Sequence, residues 1–231
     1  MVEIVGFLHT HTHTHTHTHT HLNPADKKSN EKGRSMIEML GVLAIIGVLS
    51  IGGIAGFSKA MYKNKLNKQA EQISYILAGI LENYDKLLGY NGSSHSVIST
   101  FEALGIIPPE MKINSSYNIR DSLNQSWTLA YHSSKYFQFY SSLRKKSFDQ
   151  CKNLLDVAKS FSEVIWHIQL GKGGVWGNGK MSPIYGEKYC TSSRRDCLNK
   201  ISVARMSELC KICDGLDEDE SCLFYILIKT E

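Results

Sequence analysis

The longest apolar stretch of the chain runs from Met39 to Ser58 and contains no charged residue. It is about 20 residues long, the length that an α-helix needs to cross the hydrocarbon core of a bilayer. A single carboxylate, Glu38, stands directly before this stretch. Because an acid at the mouth of such a segment is costly unless it is paired, Glu38 is a candidate functional residue. The pattern predicts a membrane-spanning helix that begins with one acidic group.

After Ser58 the apolar residues recur every three or four positions, which predicts that the helix continues with one apolar face. The opposite face is charged, and the Gly-Tyr-Asn-Gly sequence at 89–92 is expected to end the helix near residue 90. The apolar face comprises Tyr62, Leu66, Ala70, Ile73, Leu77, Ile80 or Leu81, Tyr84 and Leu88. The charged face comprises Lys63, Lys65, Lys68, Glu71, Glu82 and Lys86.

The remainder of the chain shows shorter helical and strand patterns. A short helix is predicted at the capping pattern of Ser99 and Glu102, another from Ser147 to Phe161, and a third at 202–213. Strands are predicted at 127–131, 135–140, 164–170 and 222–229, the first two as a hairpin. Together these elements predict an α+β fold in which a small antiparallel β-sheet packs against the long helix.

The residues around Glu38 carry a family resemblance. The segment GRSMIEML, from Gly33 to Leu40, resembles the processing site of type IV pilins and type II secretion pseudopilins. The resemblance implies that prepilin peptidase cuts after Gly33 and that the new N-terminal residue, Arg34, is methylated. It also implies that Glu38, five residues past the cut, neutralises the N-terminal amine of a neighbouring subunit during assembly.

The same resemblance implies a domain organisation and a set of partners. Residues 1–33 would be a leader that is removed, 34–58 the transmembrane and assembly half of the helix, and 59–90 its amphipathic half. Residues 91–231 would form a globular periplasmic head with disulfides. The implied partners are prepilin peptidase, copies of the chain and related pilins, an inner-membrane assembly platform and membrane lipid. The expected location is the bacterial inner membrane, with the N-terminus cytoplasmic, and then a periplasmic or surface fibre.

Four glycines lie in the middle of the apolar stretch, and each weakens a helix by about 1 kcal/mol relative to alanine. The family uses this region as a point of local unwinding in the fibre, which is one interpretation of the glycines. Close helix–helix packing through small residues is the other, and both stay open. The glycines are Gly47, Gly52, Gly53 and Gly56.

The charge and the cysteine content of the chain limit the classes of function that it can have. The formal net charge of +4 on 231 residues is too mild for a nucleic-acid-binding protein. Lysines and arginines are about equally frequent before and after the apolar stretch, so charge alone does not orient the span. All six cysteines lie beyond this stretch, which points to an oxidising compartment for that part of the chain.

The cysteines are interpreted as disulfide partners. Cys190 and Cys197 could close a short loop, and either Cys210 or Cys213 could pair with Cys222 to tie the last strand to the preceding helix. Such a C-terminal staple resembles the disulfide-bounded region of many pilins. A zinc knuckle or a redox pair at the C-x-x-C of Cys210 and Cys213 is the rival interpretation. The full set of candidates is Cys151, Cys190, Cys197, Cys210, Cys213 and Cys222.

Three other patterns are weak candidates for chemistry. The acidic residues Asp214, Asp217 and Asp219 could hold calcium, although a solvated loop is preferred and no cofactor is expected. The stretch 174–180 fits G-x-x-x-x-G-K, but Met181 replaces the Ser or Thr that a phosphate loop needs. The histidines outside the N-terminal repeat, at 95, 132 and 167, are scattered without a nucleophile. The sequence therefore predicts no catalytic site and no enzyme.

The N-terminal residues 1–22 contain a His-Thr repeat from His9 to His21. A metal-chelating tract is one interpretation, but a translated dinucleotide repeat, or a start codon assigned too far upstream, is preferred. The leading hypothesis for the whole chain is a structural pilus or pseudopilus subunit. The alternative is an uncleaved, single-span anchored periplasmic protein that binds a metal or another ligand.

Overall fold

The computed structural model describes residues 34–88, 90, 92, 97–132, 135–144, 147–173, 181–192, 195–216 and 220–230. The chain divides into two units, residues 1–52 and residues 53–231. In the first unit the described residues are entirely helical. The second unit contains all of the strands that the structure describes.

A long helix, α1 (Arg34–Glu82), begins in the first unit and ends in the second. The other helices are α2 (Tyr84–Leu87), α3 (Val97–Ala103), α4 (Phe148–Ser160) and α5 (Val203–Cys210), with 3₁₀ turns at Glu187–Tyr189, Leu198–Lys200 and Lys211–Cys213. The strands are β1 (Lys112–Ser115), β2 (Asn118–Arg120), β3 (Ser126–His132), β4 (Tyr136–Leu143), β5 (His167–Gly173), β6 (Met181–Tyr185), β7 (Asp196–Cys197) and β8 (Ser221–Lys229).

The eight strands form one sheet in the order β1-β2-β3-β4-β8-β5-β6-β7. Neighbouring strands are antiparallel except for the short parallel pair β6–β7. The predicted hairpin is β3–β4, in which Leu129 lies opposite Phe139. The last strand, β8, lies between β4 and β5, and its residues 222–228 are all buried. A strand that is covered on both faces reads as a continuous apolar run, as β8 does.

Helix α1 packs on one face of this sheet, which confirms the predicted α+β architecture. Apolar side chains on its second-unit part belong to the same buried cluster as aromatic and aliphatic residues of β3, β4, β8 and β5. Their spacing of three and four residues is the period that places side chains on one helix face. The buried helix residues are Leu66, Ile73, Ile76, Leu77 and Ile80, and the sheet residues include Trp127, Phe139, Phe224, Ile226 and Ile168.

A buried carboxylate joins this helix face to the turn between β2 and β3. Asp121 is 7% exposed, and its Oδ2 accepts hydrogen bonds from Trp127 Nε1 at 2.8 Å and from Gln69 Nε2. Its Oδ1 accepts from the backbone N–H groups of Leu123 and Gln125, both at 2.9 Å. Four donors therefore satisfy one buried acid, which offsets the cost of removing it from water.

The sequence pattern missed the polar members of the buried helix face. Gln69 and Gln72 are buried in α1, because the β2–β3 turn supplies their partners. The backbone N–H of Ser122 donates to Gln72 Oε1 at 2.9 Å, and its hydroxyl donates to the carbonyl oxygen of Lys65 at 2.9 Å. Hydrophobic periodicity alone cannot identify such residues, since their burial depends on a loop some 50 positions away.

Two details of the predicted helix differ in the structure. The helix was expected to continue to residue 90, but α1 ends at Glu82, because the backbone of Asn83 leaves the helical conformation (φ −106°, ψ 15°), and the separate short helix α2 follows to Leu87. The carbonyl oxygen of Gly79 accepts the helical hydrogen bond from the backbone N–H of Asn83 at 3.1 Å and a second one from the Asn83 side chain at 2.9 Å. Leu81, expected as an alternative core residue, is 47% exposed. Gly79 permits close packing instead, because a Cβ there would lie 3.2 Å from the Cα of Ile106.

The sequence predicted four of the eight strands that the structure describes. The missed strands, β1, β2, β6 and β7, are two to five residues long and carry few alternating apolar positions. They lie toward the two edges of the sheet, where only partial burial is required. Strand β6 also contains Pro183, which lowers its strand signal.

We expect Asp121→Ala to lower the free energy of unfolding by about 3 kcal/mol, because four buried donors lose their acceptor. Urea unfolding of the full chain in detergent micelles measures this change. The matched control is Asp156→Ala, an exposed carboxylate on α4, which should change stability by less than about 0.5 kcal/mol. Equal effects of the two substitutions would contradict the role assigned to Asp121.

Candidate functional site

The first candidate site is the apolar surface of α1. The large apolar side chains from Met36 to Phe57 are 52% to 74% exposed, so none of them is buried in the chain's own fold. Burying one Leu or Ile side chain is worth about 1.5–3 kcal/mol. More than ten such side chains left in water would be strongly unfavourable, so this surface requires a lipid or protein environment.

The dimensions of this surface fit a bilayer. The charge-free run from 39 to 58 is about 30 Å long at 1.5 Å per residue, which matches the hydrocarbon thickness of a membrane. A helix satisfies its own backbone hydrogen bonds and can therefore enter lipid. Among the described residues, one helix is long and apolar enough to span a membrane. The five glycines of the run are helical, and a Cβ at any of them would meet no atom within 4 Å.

The residues that the sequence assigned to processing and assembly lie at the start of this helix. Gly33 lies outside the described residues, and α1 begins at Arg34. Glu38 follows one turn later, on the exposed surface of the helix. It is the only carboxylate from Arg34 to Ser58, so any environment that covers the apolar surface must also accommodate this charge.

All six cysteines are paired in three disulfides. Cys190 bonds Cys197, and Cys213 bonds Cys222, which is one of the two partners that the sequence left open for the last strand. The third pair joins Cys151 to Cys210. Cys210 and Cys213 thus belong to different disulfides, so the C-x-x-C motif forms neither a zinc knuckle nor an internal redox pair in this structure.

Two of the disulfides connect helices of the second unit with each other and with the central strand, β8. Cys151 lies in α4, Cys210 ends α5, and the 3₁₀ turn that follows carries Cys213 to its bond with Cys222 in β8. All four of these cysteines are fully buried. The pairings therefore crosslink α4, α5 and β8 inside the core, while Cys190 and Cys197 join the chain segment before β7 to β7 itself.

The candidate calcium and phosphate sites show no set of binding residues in the part of the chain that the structure describes. Asp214 is exposed, whereas Asp217 and Asp219 lie outside the described residues, as does the glycine-rich stretch 174–180. In the part of the chain that the structure describes, no group of three His, Cys, Asp or Glu side chains could hold a metal ion. The His-Thr repeat and His95 also lie outside the described residues.

The remaining histidines have structural surroundings. His132 is exposed and stacks on Tyr136, with ring centroids 4.9 Å apart. His167 is buried in β5 beside Trp166, and burial lowers its pKa to about 4, so its ring is uncharged near neutral pH. Its Nε2 lies 3.0 Å from the amide nitrogen of Gln169. Neither histidine contacts a nucleophile among these partners.

Comparison of the chain with known proteins finds a distant similarity. No family model matches the chain, and no solved structure matches it. The chain is similar to the toxin coregulated pilin of Vibrio cholerae serotype O1, a type IV pilin, with 26% identity over 82 residues. These residues are 36% of this chain and 37% of the relative, so the similarity spans little more than a third of either protein.

The fold and this distant similarity agree with each other. The chain has the architecture of a pilin: a long N-terminal apolar helix packed on a mostly antiparallel sheet. The similarity to a type IV pilin supports a pilin-like structural role.

The three disulfides close loops of different length, which gives a testable ranking. Replacing Cys151 and Cys210 by alanine opens a crosslink with a sequence separation of 59 residues and should cost about 4 kcal/mol of unfolding free energy. Replacing Cys190 and Cys197 opens a separation of 7 residues and should cost about 2 kcal/mol. Urea unfolding of both double variants compares them. A larger loss for the short loop would contradict the ranking.

Proposed function

We propose that the chain is a structural subunit of a type IV pilus or of a type II secretion pseudopilus. The observation that carries this proposal is the exposed, charge-free helical surface from 39 to 58, which starts directly after Glu38. Such a surface suits two environments in turn. It can lie in lipid while the subunit is stored in a membrane, and against the same helix of other copies once the subunit is in a fibre.

Glu38 has a specific role in this proposal. A carboxylate in a low-dielectric fibre core is tolerable only when an opposite charge lies close to it. Cleavage after Gly33 would create a new amine at Arg34, about one helical turn from Glu38 in the chain. Because copies in a fibre are displaced along the axis, Glu38 of one copy can pair with the N-terminal amine of its neighbour. The pair would neutralise both charges as the subunit leaves the lipid.

The proposal assigns a place to each part of the chain. Residues 1–33 are a cytoplasmic leader that prepilin peptidase removes, and 34–58 anchor the subunit in the inner membrane until the assembly platform transfers it to the fibre. The part beyond the membrane lies in the periplasm, where an oxidising environment supports the three disulfides. The head then presents the fibre's outer surface, with no catalytic role and no cofactor.

The mature N-terminus tests the proposal directly. Mass spectrometry of the chain from a host with an active prepilin peptidase should find an N-terminal, methylated Arg34. Gly33→Leu should keep its leader, because the peptidase loses the glycine at the cut. Gly41→Leu is the matched control, since a Cβ at that helical position meets no atom within 4 Å, and it should be processed normally. An intact Met1 in the wild-type chain would favour the uncleaved, single-span anchored protein instead.

Assembly is tested separately with Glu38→Val. This variant should insert into the membrane and be cut, but its incorporation into fibres should fall at least about tenfold, because the neighbour's amine is left without a partner. Glu71→Val, at an exposed position further along α1, is the control and should assemble like the wild type. Immunoblots of sheared fibres and of membranes measure the two pools. Normal incorporation of the Glu38 variant would contradict the pairing.

A further inference from the structure

A groove of about 460 Å³ lies in the second unit between α1, α4 and α5. It begins at Lys59, the residue that follows the last position of the apolar run, and extends along α1 to Asn67. These positions rise about 1–14 Å above Ser58 along the helix. The polar layer on each side of a bilayer's hydrocarbon core is about 5–8 Å thick. When the apolar run fills the hydrocarbon core, the first part of the groove lies at the depth of the lipid headgroups.

The groove carries positive charges on its α1 wall and charges of both signs on its α4 wall. The α1 wall contributes the ammonium groups of Lys59 and Lys63. The α4 wall contributes the carboxylates of Asp149 and Asp156, together with Lys152. A simple anion would be attracted by the first wall and repelled by the carboxylates of the second. The arrangement suits a ligand that has a negative and a positive group close together.

The two walls are close and fixed in position. The Asn153 side chain donates to the carbonyl oxygen of Leu66 at 2.9 Å, which ties α4 to α1 along the groove. The pKa of Tyr62 on α1 is raised by burial and, in addition, by the negative charge of Asp149 on α4. A ligand in the groove can therefore contact both walls at once.

The floor and one edge of the groove are apolar. Leu66 and Met206 are buried beneath it, while Val203 at the start of α5 is 62% exposed at its edge. A ligand with a charged end and a hydrocarbon end would cover this valine and continue toward the apolar run of α1. A free ion or a short polar solute would leave it in water.

We propose that the groove binds the headgroup of a phospholipid that carries a phosphate and a primary ammonium group, as phosphatidylethanolamine does. The phosphate lies against Lys59 and Lys63, the ammonium donates to Asp149 and Asp156, and the hydrocarbon end of the lipid covers Val203. This inference rests on the proposed membrane span. It adds to it a specific lipid site that holds the head against the membrane surface before assembly.

Lipid competition tests the site with the full chain in detergent micelles. Native mass spectrometry should show one phosphatidylethanolamine bound at least about fivefold more tightly than phosphatidylcholine, which lacks ammonium N–H donors, or phosphatidylglycerol, which lacks the cation. Asp149→Asn with Asp156→Asn should abolish the preference for phosphatidylethanolamine. Lys59→Gln with Lys63→Gln should weaken all three lipids. All of these positions are at the surface, and thermal unfolding of each variant checks that the head remains folded.

The matched control is Lys65→Gln with Lys68→Gln, which removes two exposed lysines from the same stretch of α1 but not from the groove. It should leave lipid binding unchanged. Equal affinity for the three lipids, an equal loss in the control, or a second copy of the chain occupying the groove without lipid would overturn the proposal. Carbonate extraction of membranes separates the two inferences. An inserted chain without lipid preference refutes only the groove, whereas a chain that is not inserted refutes the membrane span itself.

Discussion

The structure depends on how one helix divides its hydrophobic surface between two environments. In the second unit, α1 buries Ile73, Ile76, Leu77 and Ile80 against the sheet. From 39 to 58 the same helix exposes apolar side chains around its whole circumference, because no other part of the described chain covers them. The hydrophobic effect acts equally on both parts. Folding buries the apolar side chains of the second-unit part, whereas the apolar side chains from 39 to 58 can be buried only by lipid or by other molecules.

Strand β8, two disulfides and the Asp121 network stabilise the second unit around its part of α1. The central strand β8, buried on both faces, brings the end of the described chain into the middle of the sheet. Two buried disulfides then connect this strand, α5 and α4. The Asp121 network fixes the β2–β3 turn to the buried face of α1. These contacts connect the second-unit part of α1 to the sheet.

Just beyond Ser58, α1 passes from its apolar run to the part that packs on the sheet. Here α1 is no longer apolar on all sides, Tyr62 is 41% exposed, and the lysines at 59 and 63 are exposed as well. Aromatic and basic side chains are typical of the interface between hydrocarbon and water. The groove with α4 and α5 turns this general preference into a defined arrangement of opposite charges.

The sequence alone determined the features that depend on local pattern. The charge-free run, the position of Glu38, the amphipathic continuation of α1 and the four longer strands follow from the spacing of apolar residues, which is a property of neighbours in the chain. Even the short-range disulfides, Cys190–Cys197 and Cys213–Cys222, were among the pairs that spacing suggested.

Only the tertiary structure decided the features that depend on distant contacts. The burial of Gln69 and Gln72, the Cys151–Cys210 bond and the position of β8 between β4 and β5 each join residues about 50 or more positions apart. The end of α1 at Glu82 is likewise not recorded in the hydrophobic period, because it is set by the backbone conformation of Asn83. Periodicity records which side of an element is apolar, but it carries no information about which distant segment will cover that side or supply its hydrogen-bond partners.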